Sequence, residues 1–149
     1  MKIRTHSSEE TQALGQQLGR LIKPPFVLFL QGDLGTGKTL LTQSIALGLG
    51  IQEHVNSPTF VLMKIYEGKP RLVHVDAYRL EGIEESIGIS DELDSNTVMI
   101  IEWPQYLNED ISADMMIKLN YIDETAREIT LESHHPIMEQ WRSYVAISD

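Results

Sequence analysis

Gly32-Asp33-Leu34-Gly35-Thr36-Gly37-Lys38-Thr39 is the stretch on which the fold turns. It fits G-x-x-x-x-G-K-[ST], a glycine-rich loop that cradles phosphate groups. Its flanks matter as much as the loop. Phe26-Val27-Leu28-Phe29-Leu30 is a continuous apolar run, long enough for a buried strand. Leu40 to Leu49 follows as a helical segment, with Gly48 and Gly50 offering a C-terminal stop. Strand, loop and helix in that order are the context the motif requires.

The loop's chemistry follows from its residue types. Gly32, Gly35 and Gly37 let the backbone approach a ligand closely. Consecutive backbone N–H groups can then point inward as an anion cradle. The helix that follows aims its positive end at the same point. Lys38 is expected to reach the outer phosphates as a point charge, and the Thr39 hydroxyl to be a Mg²⁺ ligand.

Composition narrows the class. The chain has 149 residues, which suits one domain over residues 1–149, and 42% of them are hydrophobic, enough for a core. The longest clean apolar run is far short of a membrane span. The N-terminal residues lack the apolar centre of a signal peptide. There are no cysteines, so disulfides, thiolate metal sites and cysteine nucleophiles are excluded together. A cytoplasmic protein is expected. The formal net charge is −10, from 22 acids against 12 Lys and Arg, and such a surface is repelled by phosphate backbones. Independent grip on nucleic acid is therefore not expected, whereas a basic protein partner suits the charge.

Outward from the loop, Ser7-Ser8-Glu9-Glu10 reads as a capping box opening a helix with Leu14, Leu18, Leu21 and Ile22 on its buried face. That helix either only packs or also places Thr11 or Leu14 against a nucleotide base. Ser57-Pro58-Thr59-Phe60 reads equally as a turn into a strand or as a segment that senses a γ-phosphate and its metal. Val61 to Tyr66 and Arg71 to Val75 flank Glu67-Gly68-Lys69-Pro70 and predict a β-hairpin. The second of these strands ends in Val73-His74-Val75-Asp76. An acid at a strand tip beside a phosphate loop can hold Mg²⁺ or orient an attacking water. His74, two residues earlier, faces the same side. Arg79 suits either phosphate charge or an ordinary ion pair, the ion pair being favoured.

Glu81 to Asp94 is acidic, with Ile83, Ile87, Ile89 and Leu93 as its apolar anchors, and predicts a short helix with irregular flanks. Val98-Met99-Ile100-Ile101 followed by Glu102-Trp103-Pro104 is a second buried strand ending in an acid, the form of a Walker B strand. Trp103 is either a core aromatic or an aromatic wall of the site. Met115 to Tyr121 and Arg127 to Glu132 predict a second hairpin, and Pro136 opens a terminal helix carrying Ile137, Trp141 and Tyr144. His134 and His135 are adjacent and on a strand end would face opposite ways, which argues against a two-histidine metal site.

Four motifs in order carry a resemblance: Gly32 to Thr39, Ser57-Pro58-Thr59-Phe60, His74-x-Asp76-x-Tyr78-Arg79, and Glu102-Trp103-Pro104. Over Ser7 to Leu131 the chain resembles the bacterial tRNA threonylcarbamoyladenosine biosynthesis ATPase family, TsaE (also called YjeE). The resemblance implies an α/β, single-domain P-loop NTPase with a mixed central sheet, β-hairpins and flanking helices. It implies an ATP- and Mg²⁺-dependent hydrolase acting with TsaB-like and TsaD-like subunits of the tRNA threonylcarbamoyl transferase complex, touching tRNA only indirectly. Residue by residue, it implies nucleotide contacts from Asp33, Leu34, Gly35, Thr36, Gly37, Lys38, Thr39 and Leu40, with Thr59 and Trp103, to which the reading of the first helix adds Thr11. Metal ligation falls to Thr39 and Glu102, and catalysis to Asp76, Glu102 and Lys38. In this company Ser57 to Phe60 leans towards the switch reading.

The chain departs from the family pattern at Thr36, where Ala is usual, and at Leu40, where a second Thr is common. Glu84 to Asp94 looks less regular than the family's acidic helix, and the tail after Leu131 carries little of the resemblance. No Asn-Lys-x-Asp run reads guanine, which favours ATP over GTP. No arginine is clearly placed as a finger, so activity alone is expected to be weak; Arg79 is the in-chain candidate, and a partner could supply another. The competing readings are a small-molecule P-loop kinase, against which the scattered arginines count, and a nucleotide-switched interaction module with negligible turnover.

Overall fold

A computed structural model describes residues 1–33, 35–55 and 62–148. Seven strands form one sheet: β1 Lys2–Thr5, β2 Phe26–Gln31, β3 Met63–Tyr66, β4 Arg71–Asp76, β5 Thr97–Glu102, β6 Met115–Tyr121 and β7 Arg127–Glu132. Their order is β1-β7-β6-β2-β5-β4-β3. β2 runs parallel to both β5 and β6, and β4 parallel to β5. The edges are antiparallel: β3 on β4, β7 on β6, and β1 on β7. The mixed sheet and both hairpins thus follow the sequence reading. No helix among the described residues is long and apolar enough to cross a membrane.

Alternation along the strands sorts two cores. Phe26, Leu28 and Leu30 of β2, with Val98 and Ile100 of β5, face one side and meet Leu18, Leu41, Ile45 and Trp141. That side carries all three helices, α1 Ser8–Leu21, α2 Lys38–Leu49 and α3 Ile137–Ser148. Val27, Met99 and Ile101 face the other side and meet Val73, Val75, Ala77, Leu80 and Ile89. There the cover is irregular chain with short 3-10 turns at Ala77–Leu80, Ile89–Glu92 and Pro104–Tyr106.

α1 starts as the capping box predicts. The Ser7 side chain accepts from the Glu10 N–H, while the Glu10 carboxylate accepts from the His6 N–H rather than from Ser7. Leu18 and Ile22 are buried as expected, but the closest approach to α2 is made by small residues. A Cβ on Gly19 would lie 2.1 Å from the Ile45 carbonyl oxygen, and one on Gly48 2.0 Å from that of Gln16. Gly48 therefore sits inside α2 to let the two helix backbones touch. The stop is Gly50 alone, in the left-handed conformation with φ 89°, and the helix begins at Lys38 rather than Leu40.

Glu81 to Asp94 departs furthest from expectation. It forms no α-helix, only the turn Ile89–Glu92. Of the four apolar anchors Ile89 alone is buried, whereas Ile83, Ile87 and Leu93 are exposed. A helix needs a recurring apolar face to hold it, and one buried residue is not a face. Polar groups pin the segment instead. The Glu109 carboxylate accepts from the N–H groups of Ile89 and Ser90. Arg71 on β4 donates to the Glu92 carbonyl at 2.8 Å and its carboxylate at 2.6 Å.

Candidate functional site

The parallel strands β2, β4 and β5 end on one edge, and the chemistry gathers there. From β2 the chain enters the glycine-rich loop and then α2. Gly35 and Gly37 take φ of 80° and 101°, a region that residues with a Cβ rarely occupy. Thr36 closes the loop on itself: its hydroxyl donates to the Asp33 carbonyl at 2.8 Å, and its N–H to the same oxygen at 3.3 Å. The hydroxyl that departs from the family's Ala thus serves as a local brace. Leu34 lies outside the described residues.

Lys38 opens α2 and its side chain folds over the loop. Its ammonium donates to the carbonyls of Gly32, at 2.6 Å, and Asp33, at 3.1 Å. It also sits 4.6 Å from the centroid of the Trp103 ring. The residue is only 7% exposed. Burial pushes its pKa below the usual lysine range, while the carboxylates of Glu102, Asp76 and Asp33 pull it back up. All three acids therefore act electrostatically on one ammonium. Thr39 and Leu40 occupy the first turn of α2 beside it, both half-buried.

Asp76 and Glu102 lie opposite each other in register at the tips of β4 and β5, and Leu30 of β2 pairs with Glu102 from the other side. Alternation puts His74, Asp76 and Glu102 on the face that carries α2. Glu102 is 3% exposed, and its Oε2 accepts from His74 Nε2 at 2.5 Å. Asp76 is half-buried and accepts from the Tyr78 N–H at 3.1 Å, capping the turn Ala77–Leu80. Trp103 has φ 56°, which ends β5 abruptly. Its ring packs edge-on against Tyr78 at 5.1 Å and stacks towards Tyr106 at 6.2 Å. It is a half-buried wall of the site, not a core aromatic.

Two expected contributors stand apart. Thr11 is buried, and its hydroxyl pairs with that of Thr5 at 2.7 Å, so its polar atom is engaged within the fold. Arg79 is exposed and makes no ion pair or hydrogen bond among the described residues, against the ion pair favoured from sequence. Thr59 and the rest of Ser57 to Phe60 lie outside the described residues. Other neighbours went unforeseen. A cavity of about 260 Å³ is lined by Gln31, Gly32, Asp33, Trp103, Gln105, Lys118 and Asn120. One of about 530 Å³ is lined by Asp33, Gly35, Thr36, Leu119, Asn120 and Tyr121. Arg127 on β7 reaches the loop from a strand whose sequence signals only alternation.

No group of three or more His, Cys, Asp or Glu residues suited to a metal ion occurs among the described residues. That donor set fits Mg²⁺ carried on phosphates, which takes one or two carboxylates and keeps its water, rather than an all-protein cage. A desolvated ammonium in the first turn of α2, folded over a glycine-rich loop, fits the phosphates themselves.

Strand, glycine-rich loop, helix and two acid-tipped parallel neighbours define this fold as a P-loop NTPase. Within that class the chain belongs to the TsaE family: the model for "Threonylcarbamoyl adenosine biosynthesis protein TsaE" matches residues 5–129. The tRNA threonylcarbamoyladenosine biosynthesis protein TsaE of Bacillus subtilis is 39% identical over 132 residues, 87% of this chain and 84% of the relative. The protein of the same name from Treponema pallidum is 37% identical over 134 residues, 88% of this chain and 99% of the relative. The crystal structure of Bacillus subtilis YdiB superposes with a TM-score of 0.79 at 30% identity, covering 100% of this chain and 95% of that one.

Proposed function

We propose that this chain, as one domain over residues 1–149, is the ATP-binding and ATP-hydrolysing subunit of the complex that forms N6-threonylcarbamoyladenosine in tRNA. There it supports turnover of TsaB-like and TsaD-like transferase partners. The observation that carries the reading is the convergence of Lys38, Asp76 and Glu102 at one sheet edge, where both carboxylates act on the Lys38 ammonium. Family membership supports the pathway.

In this reading the loop from Asp33 to Leu40 holds the β- and γ-phosphates by its N–H groups, and Lys38 turns from the Gly32 and Asp33 carbonyls to the phosphate oxygens. Thr39 and Glu102 would hold Mg²⁺, which when bound neutralises charge on the β- and γ-oxygens. His74 fixes one oxygen of Glu102, and the other would be the one to bind the metal. Asp76 orients a water in line with the γ-phosphorus. The water oxygen bonds to that phosphorus, the bond to the bridging oxygen breaks, and ADP and phosphate leave. Trp103 walls the phosphates from solvent, while Thr59 senses the γ-phosphate. Thr11 supports the base end indirectly, through its bond to Thr5. With a net charge of −10, contact with tRNA falls to the partners.

ATP hydrolysis measured with and without the two partner proteins tests this. Slow turnover alone and marked stimulation in the complex are expected, with Lys38→Ala losing nucleotide binding altogether. Turnover indifferent to the partners but raised by a small metabolite would point to a phosphotransferase instead. Normal ATP affinity in Lys38→Ala would overturn the loop assignment.

A further inference from the structure

Arg127 lies 91 positions from Thr36 in the chain, yet its Nε donates to the Thr36 carbonyl at 2.8 Å. Its Nη1 donates to the carbonyls of Asp123, at 2.5 Å, and Ala126, at 2.8 Å. The guanidinium carbon lies 4.8 Å from the centre of the Tyr121 ring, which fixes the plane of the fork. Three backbone oxygens and one aromatic face leave this side chain little freedom.

These partners are unusual for an arginine in so acidic a chain. With 22 carboxylates to choose from, Arg127 forms no salt bridge among the described residues. Asp123 feels the Arg127 charge, but its carboxylate is committed to the turn, where it accepts from the N–H groups of Thr125 and Ala126. A positive charge is therefore held beside the glycine-rich loop with no carboxylate in direct contact with it among the described residues. Its geometry also acts on the loop. Drawing the Thr36 carbonyl towards β7 rotates the Thr36–Gly37 peptide, so that the Gly37 N–H points away from Arg127. A charge-assisted bond to a peptide oxygen also polarises the N–H at the other end of that peptide.

We infer that Arg127 is a positioning residue for phosphate binding: it fixes the Thr36–Gly37 peptide from behind and adds positive charge beside the loop. This rests on the reading of residues 32–39 as a phosphate loop. Lysine at this position keeps the charge but cannot make the fork, and methionine keeps neither. Affinity for ATP therefore ranks wild type, then Arg127→Lys, then Arg127→Met, with losses of about 3-fold and about 10-fold. The loss falls mainly on KM, because the group touches the loop rather than the reacting atoms.

The experiment is titration of the full chain with ATP and Mg²⁺, by calorimetry and by steady-state hydrolysis in the assembled complex, with melting temperatures recorded for each variant. Arg127→Lys carries the test if Arg127→Met fails to fold. Wild-type affinity in Arg127→Lys overturns the inference, as does a lowered melting temperature with unchanged KM, which would mark a purely structural residue. Absence of ATP binding by the unsubstituted chain overturns the phosphate-loop reading itself, a result distinct from either.

Discussion

Asp76 and Glu102 are register partners on adjacent parallel strands, the last pair of the ladder, yet their surroundings differ sharply. Glu102 is almost wholly buried and bonded to an imidazole that is itself buried. Asp76 is half-open and spends one oxygen on the backbone N–H of Tyr78. A buried carboxylate held by a neighbour is preorganised to keep a fixed position, as a metal ligand must. A carboxylate at a solvent edge can meet a water and exchange it. The different neighbours of one strand-tip position thus support the two tasks proposed for these acids.

Glu102→Ala should break the comparison hardest. It removes the proposed metal ligand and strands His74, whose Nδ1 already has no partner among the described residues. Turnover in the complex should fall by about 10²-fold or more, and Mg²⁺ should no longer strengthen ATP binding. Stability should fall as well, by about 1–3 kcal/mol, because a buried polar group is left unpaired. Hydrolysis and chemical denaturation of the same preparation check both. Wild-type turnover would mean that the buried acid is structural only.

Asp76→Asn should be gentler and more selective. The amide still accepts from Tyr78, so the cap and the fold persist. Turnover should fall by about 10²-fold while ATP affinity stays within about threefold, the pattern of a group that acts in the transition state. Equal losses in affinity and turnover would collapse the distinction between the two acids.

What the sequence revealed about these tips depended on distance along the chain. The phosphate loop was legible because strand, glycines, lysine and helix are contiguous, and one local pattern encodes all of them. The two acids were legible because each closes its own apolar run. Their difference was not, because the His74–Glu102 bond spans 28 positions and exists only through the register of β4 on β5. Arg127 was silent for the same reason: its partner is 91 positions away, and its strand carries only an alternating pattern. The acidic stretch after Asp76 misled because isoleucines at irregular spacing resemble weak helix anchors, whereas only Ile89 reaches the core. Trp103 could be read as core or wall, and its left-handed backbone, which turns the ring towards Lys38, has no signature in a tryptophan codeword.

The smallest effect concerns a third acid that, like Asp76, is spent on backbone N–H groups but lies away from the phosphate loop. Desolvation works to raise the Glu109 pKa, and the N–H groups of Ser90 and Ile89 with the Ser90 hydroxyl outweigh it, holding the carboxyl below its usual range. Asp94 is lowered too, first by the Thr97 hydroxyl and then by the Asn96 N–H. Both pKa values are lower in the folded chain than in the unfolded one. Their stabilisation is therefore complete above the ordinary carboxylate pKa of about 4 and is lost as pH falls through the folded values. Glu109→Gln should lower the melting temperature at neutral pH by about 2 °C or less, since the group is half-buried and partly screened by solvent. That gap between variant and wild type should close on acidification. A gap that widens as the pH drops would mean that the Glu109 charge opposes the fold, and that bonding to backbone N–H groups does not by itself make a carboxylate structural, which would reopen the assignment of Asp76 as well.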